Sequence, residues 1–155
     1  MSSDSSHIVG KPNRRVLGLD VGERRIGVAI SGESRILATP FTTIKRVRRE
    51  QYLTSISNII RQEGADLIVV GLPLLLDGTI GLQARRTLDF CENLREAVAP
   101  LPVETWDERY SSAEAERLLI EMGIKPSKQK GRVDAIAAAI VLQAYLDAHL
   151  DAHNE

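Results

Sequence analysis

At 155 residues, with a formal net charge of −1, 43% hydrophobic residues and a single cysteine, the chain is sized for one domain with its own core. The lone Cys91 excludes an internal disulfide framework and suits a reducing compartment. The longest apolar stretch, residues 67–76, contains Gly71 and Pro73 and is too short to span a bilayer. The polar, Ser-rich start lacks the apolar centre of a signal peptide. The expectation is a soluble, cytoplasmic protein without a membrane partner. A disordered tail over residues 1–13, a single domain over 14–148 and a flexible tail over 149–155 are expected with it.

In chain order, residues 16–20 read as a buried strand and 26–31 as a second, after a short turn containing Gly22. Residues 35–43 read as a third, where Thr39, Phe41, Thr42 and Thr43 favour extended structure. Connections this short imply antiparallel hairpins. From Val47 to Glu63 apolar residues recur at helical spacing, and Gly64 is a suitable stop. Residues 66–71 form a continuous apolar strand, followed by a loop with Pro73 and the turn pair Asp77-Gly78. A helix over 82–98 ends at Pro100 and Pro102, and 103–107 is the fifth strand. Ser111 or Ser112 can cap a further helix to about Glu121. A basic loop and a last, Ala-rich helix over 133–148 complete the order. Three antiparallel strands extended by helix-connected parallel ones give an α/β fold, a mixed five-stranded sheet with helices on both faces.

The charge is unevenly placed. Residues 14–49 hold nine Lys/Arg against three acids, a net +6. Lys125, Lys128, Lys130 and Arg132 form a second basic group. Basic segments on a near-neutral chain can steer a polyanion to one face.

Three acidic positions, spread over more than a hundred residues, each stand at an element boundary. Asp20 closes the first strand, Asp107-Glu108 closes the fifth, and Asp134 opens the last helix. Carboxylates beside apolar runs are unfavourable unless met by positive charge or hydrogen bonds. If the fold unites them, a hard divalent cation such as Mg²⁺ or Mn²⁺ is the natural occupant. Two such ions about 3.5–4 Å apart would suit phosphodiester hydrolysis, with Asp20, Asp107, Glu108 and Asp134 as candidate catalytic and metal-binding residues. Strand alternation sends Asp107 and Glu108 to opposite faces, so one of the two is the expected ligand and the sequence leaves the choice open.

Gly22, Arg24, Arg25, Arg109, Lys128, Lys130 and Arg132 are the candidate substrate contacts. Gly22 permits close phosphate approach, and the basic residues offer charge. Against each functional reading stands a plain one: an Asp-x-Gly turn, a surface ion pair at Asp107-Glu108-Arg109, and a carboxylate favoured by the helix dipole at Asp134. Cys91 reads as core, Trp106 as core or wall with base stacking as the lesser alternative. His149 and His153, four apart, read as tail residues, and the loop over 74–81 as an exposed turn or a lip over the site.

The motifs, in order, resemble the YqgF family, also called RuvX-like or Holliday-junction-resolvase-like nucleases of the RNase-H-like superfamily. They are Gly18-Leu19-Asp20-Val21-Gly22 with Arg25-Ile26-Gly27-Val28-Ala29, then Val69-Val70-Gly71-Leu72-Pro73-Leu74 with Asp77-Gly78-Thr79. Asp107-Glu108-Arg109-Tyr110-Ser111-Ser112 and Lys130-Gly131-Arg132-Val133-Asp134 follow. The likeness covers roughly residues 14–147; Leu75 and Ser111-Ser112 depart from its usual pattern. It implies an RNase-H-like fold and a nuclease that processes the 5′ end of the 16S ribosomal RNA precursor, with Asp20, an acid of Asp107-Glu108, and Asp134 as its catalytic set. The alternatives are a DNA junction resolvase, which would act as a homodimer where the nuclease could be a monomer, and a catalytically silent nucleic-acid-binding module. A nucleotide-binding kinase or actin-like ATPase needs two lobes, and this chain supplies one.

Overall fold

The computed structural model describes residues 14–110, 117, 120–123 and 133–150. Strands β1 (Arg15–Val21), β2 (Arg25–Ser31) and β3 (Ala38–Lys45) form an antiparallel meander. Helix α1 (Arg49–Glu63) leads to β4 (Ala65–Leu72), and α2 (Leu82–Val98) leads to β5 (Val103–Asp107). Both of these strands add in parallel, giving the spatial order β3-β2-β1-β4-β5. A short 3₁₀ turn, Glu108–Tyr110, follows β5 directly, and α3 (Val133–Ala148) is the last described helix. This is the mixed sheet expected from the sequence.

Period-two alternation sorts the strand residues between two cores. Leu17, Leu19 and Val21 of β1 join Ile26, Val28, Ile30, Ile68 and Val70 beneath α1 and α2, whose Tyr52, Ile56, Phe90 and Leu94 fill the other side. Tyr52 and Phe90 stack with centroids 5.9 Å apart. On the opposite face Val16, Ala29, Leu67 and Val69 meet Ala138, Ala139, Leu142 and Leu146 of α3. Cys91 is fully buried in the first core, where burial pushes its thiol up to about 11.

α1 stops where the sequence places the stop: Gly64 takes φ 74° and its N–H donates to Ile60 O at 2.9 Å. β3 differs from the expected 35–43. Arg35 adopts φ 60°, its N–H closes a turn onto Gly32 O, and its guanidinium pairs with Asp66, so extension begins only at Ala38. The strand runs on to Lys45, opposite Arg25. Pro40 sits on this edge strand beside a register shift, where a proline is tolerated. The helix expected from Ser111 or Ser112 to Glu121 and the basic loop with Lys128, Lys130 and Arg132 lie largely or wholly outside the described residues.

α3 is anchored by a buried polar group. Gln143 Oε1 accepts from Ala38 N–H, and its Nε2 donates to Ile36 O and Asp147 Oδ1, each at 2.9 Å. At the far end His149 stacks on Tyr145 at 4.0 Å and meets the Trp106 edge, so it packs against the body of the fold.

Candidate active site

Asp20 lies near the C-terminal end of β1, a central strand, with an apolar run behind it. Its antiparallel partner on β2 is Gly27. On the other side β1 and β4 pair through Leu19 and Val70, so the next positions are Asp20 and Gly71. Asp20 is therefore flanked on the sheet surface by two residues without side chains.

Each gap admits another carboxylate-bearing segment. A Cβ on Gly27 would stand 1.9 Å from the carbonyl oxygen of Asp134, so the first turn of α3 rests directly on β2 there. A Cβ on Gly71 would stand 2.6 Å from Glu108 Oε2. The Glu108 side chain thus reaches across Gly71 towards Asp20. Gly18, under Leu142 with a hypothetical Cβ 2.8 Å from its Cβ, keeps α3 equally close along β1. Sequence reading assigned no role to Gly27 or Gly71. The available signal was a glycine inside an apolar strand, which marks close backbone approach.

The electrostatics follow from this crowding. Burial raises the Asp20 carboxyl above its ordinary range; a hydrogen bond from Glu108 opposes the rise and the Asp134 charge adds to it. Glu108 is pushed up to about 7 by burial, then by the Asp20 charge and by sharing its proton with Asp20. Asp134 lies close enough to act on Asp20, and its Oδ2 accepts from Arg25 Nε at 2.7 Å. Asp107 has a different fate. Arg109 grips it through Nε and Nη2, at 3.1 and 2.7 Å, and holds its carboxyl below the usual range. Arg109 also donates to Leu76 O at 3.2 Å, which ties the 73–81 loop to the end of β5. Within that loop Asp77 Oδ1 accepts from the Thr79 N–H and hydroxyl.

Of the sequence candidates, Asp20, Glu108 and Asp134 are brought together, while Asp107 is bound up with Arg109. Gly22 forms the β1–β2 turn, its N–H donating to Arg25 O at 2.8 Å. Arg24 and Arg25 stand exposed beside it. Lys128, Lys130 and Arg132 fall outside the described residues.

The donor set suits a divalent cation. Asp20 and Glu108 are hard oxygen donors held close at an electrostatic cost, and among the described residues no basic side chain is paired with either. Among the described residues no three Asp, Glu, His or Cys side chains make a closed ligand group, and Asp134 is bonded to Arg25.

Known proteins resemble this chain along most of its length. The family model described as "RuvX: Holliday junction resolvase" matches residues 14–148. A Roseiflexus protein named "Putative pre-16S rRNA nuclease" is 46% identical over 133 residues, 86% of this chain and 94% of its own length. A Chloroflexus aggregans protein of the same name is 47% identical over 132 residues, covering 85% and 92%. Among solved structures, the Thermus thermophilus RuvC in complex with Holliday junction substrate superposes with a TM-score of 0.59 over 88% of this chain and 96% of that one. At 14% identity that likeness speaks for the fold alone.

Proposed function

Because the chain belongs to the RuvX family, a family of nucleases and resolvases, we propose that it is a metal-dependent nuclease that hydrolyses phosphodiester bonds of structured or single-stranded RNA at the 5′ end of the 16S rRNA precursor. The observation that carries this reading is the convergence of Asp20, Glu108 and Asp134 over the two glycine gaps. Two relatives that this chain spans almost end to end bear that substrate in their names.

In this reading Asp20 and Glu108 hold Mg²⁺ or Mn²⁺, and Asp134 serves as the third donor. A cation held there supplies electrostatic stabilisation of the charge that builds on the phosphoryl oxygens. Glu108 gives up its shared proton when both carboxylates bind the ion, so occupancy rises with pH through about 7. Arg25 fixes the Asp134 carboxylate in place at the start of α3. Gly22, without a side chain at the β1–β2 turn, leaves room for a substrate phosphate beside Asp20. Arg109 braces Asp107 and the 73–81 loop at the rim, and Arg24 offers a backbone contact from the turn. No activated Ser, Cys or His enters: the nucleophile is water, whose attack at phosphorus breaks the P–O ester bond and leaves one product with the phosphate and the other with a hydroxyl.

The family description favours a second substrate, the four-way DNA junction. Both are tested together, by incubating wild type and Asp20→Asn with a labelled RNA carrying the precursor 5′ extension and with a DNA junction, in Mn²⁺ or EDTA. Metal-dependent RNA cutting lost in the variant is the expected result. Cutting of the junction alone would move the function to recombination, and no cutting of either by folded protein would overturn the nuclease reading.

A further inference from the structure

Beside the acids, at the end of the β2–β3 hairpin, lies a hollow of about 300 Å³ lined by Arg24, Arg25, Lys45, Arg46 and Val47. Its walls come from two chain segments twenty residues apart and are tightly fixed. Arg25 and Lys45 are cross-strand partners. Arg46 N–H donates to Arg24 O at 2.8 Å, and its guanidinium donates to Gly22 O at 2.8 Å. The same guanidinium lies over the Tyr52 and Phe90 rings, 5.6 and 5.4 Å from their centroids. Arg46 is thereby pinned within two residues of Asp20, and Arg25, on the opposite wall, is bonded to Asp134.

The charge in this hollow is poorly compensated. Arg46 meets a carbonyl and two aromatic faces, none of which carries a negative charge. Among the described residues, the side chains of Arg24 and Lys45 make no ion pair. The nearest acid in the turn, Glu23, is taken by Arg86 at 2.9 Å. Among the described residues, the one ion pair these four cations make is that of Arg25 with Asp134. Like charges assembled at fixed positions repel one another unless an anion is shared among them. Val47, 77% exposed at the lip, offers an apolar surface where a sugar or base can rest.

We propose that Arg24, Lys45 and Arg46 form a phosphate cradle that holds the nucleic-acid backbone next to the reacting phosphodiester, with Val47 against the adjoining nucleoside. The inference rests on the nuclease reading for its orientation, because Arg25 links the cradle to the acid cluster. It adds a second anchor point on the strand, contributed by the end of β3. A strand gripped there is fixed in register relative to Asp20 and Asp134, which makes the cradle a determinant of where the cut falls.

Binding is the direct test. A labelled single-stranded RNA is titrated with wild type, Lys45→Ala and Arg24→Ala in EDTA over a range of salt, with fluorescence anisotropy as readout. Both side chains are exposed, and thermal melts establish that the variants fold. Each substitution is expected to weaken binding by about three- to tenfold and to flatten the log Kd against log salt slope by about 0.7. RNAs with a single methylphosphonate then locate the contact: one neutralised phosphate weakens wild type, and the same change has no further effect on Lys45→Ala. Wild-type affinity and slope in both folded variants would overturn the cradle. Cleavage by wild type is measured separately, so the two readings fail separately. A cutting enzyme with cradle-independent binding loses only this inference, whereas Lys45-dependent binding without cutting loses only the nuclease reading.

Discussion

The two faces of the sheet are built by different means. Under α1 and α2 the contact is made by large side chains, Leu17, Leu19, Ile56, Phe90 and Leu94, in the ordinary manner of an α/β core. Under α3 large side chains such as Leu67, Leu142 and Leu146 are joined by small ones. Gly18, Gly27, Ala138 and Ala139 let the helix lie almost against the strands. The first face packs bulky side chains; the second also fixes where a helix terminus sits. That placement puts Asp134 beside Asp20. The comparison teaches that a close helix–sheet approach can be recognised by unusually small residues on both partners.

The two faces should therefore fail differently. The largest effect belongs to the acids: Asp20→Asn, Glu108→Gln and Asp134→Asn should each lower RNA cleavage about 100-fold or more. Melting temperature in EDTA should hold or rise for Asp20→Asn, since carboxylate crowding is relieved. A large fall in melting temperature would make Asp20 structural. Next, Phe90→Ala should cost about 3–5 kcal/mol in urea unfolding, while cleavage per folded molecule stays near wild type. Gly27→Ala, whose new methyl meets the Asp134 carbonyl, should cost about 1–3 kcal/mol and also lose most cleavage. If Gly27→Ala keeps full activity per folded molecule, the positioning role of that face is wrong.

A smaller effect should appear with pH. Glu108 titrates near 7 in the fold against an ordinary 4.5, so the native state favours its protonated form. The corresponding stability is complete below 4.5 and is lost as pH rises through 7. In EDTA the melting temperature should fall between about pH 4.5 and 7, Mn²⁺ should reverse the fall, and Glu108→Gln should abolish it. The mildest prediction concerns Cys91, buried with a thiol pushed up to about 11. Thiol reagents at pH 8 should label it only as fast as the protein unfolds.

Much of this was legible in the chain. The bounds of α2, β5 and α3 follow from apolar periodicity, prolines and the Ala-rich run, and the split into antiparallel and parallel strands follows from connection lengths. Asp20 and Asp134 stand out because each carboxylate abuts an apolar element. The choice between Asp107 and Glu108 was not legible, since alternation assumes that the strand continues. β5 ends at Asp107, and the 3₁₀ turn redirects Glu108 across Gly71. The start of β3 was hidden for a similar reason: Arg35 takes a left-handed conformation that side-chain pattern does not announce. His149 read as tail, yet it stacks on Tyr145 one helical turn back and meets the edge of Trp106, a contact with the distant β5 that helical spacing does not announce.

The central claim, that Asp20 and Glu108 rather than Asp107 make the cation site, is tested most directly by Mn²⁺ titration followed by electron paramagnetic resonance. Wild type and Asp107→Asn should bind Mn²⁺ alike, while Asp20→Asn and Glu108→Gln should lose about tenfold or more in affinity. Loss of binding in Asp107→Asn with retention in Glu108→Gln would contradict the account.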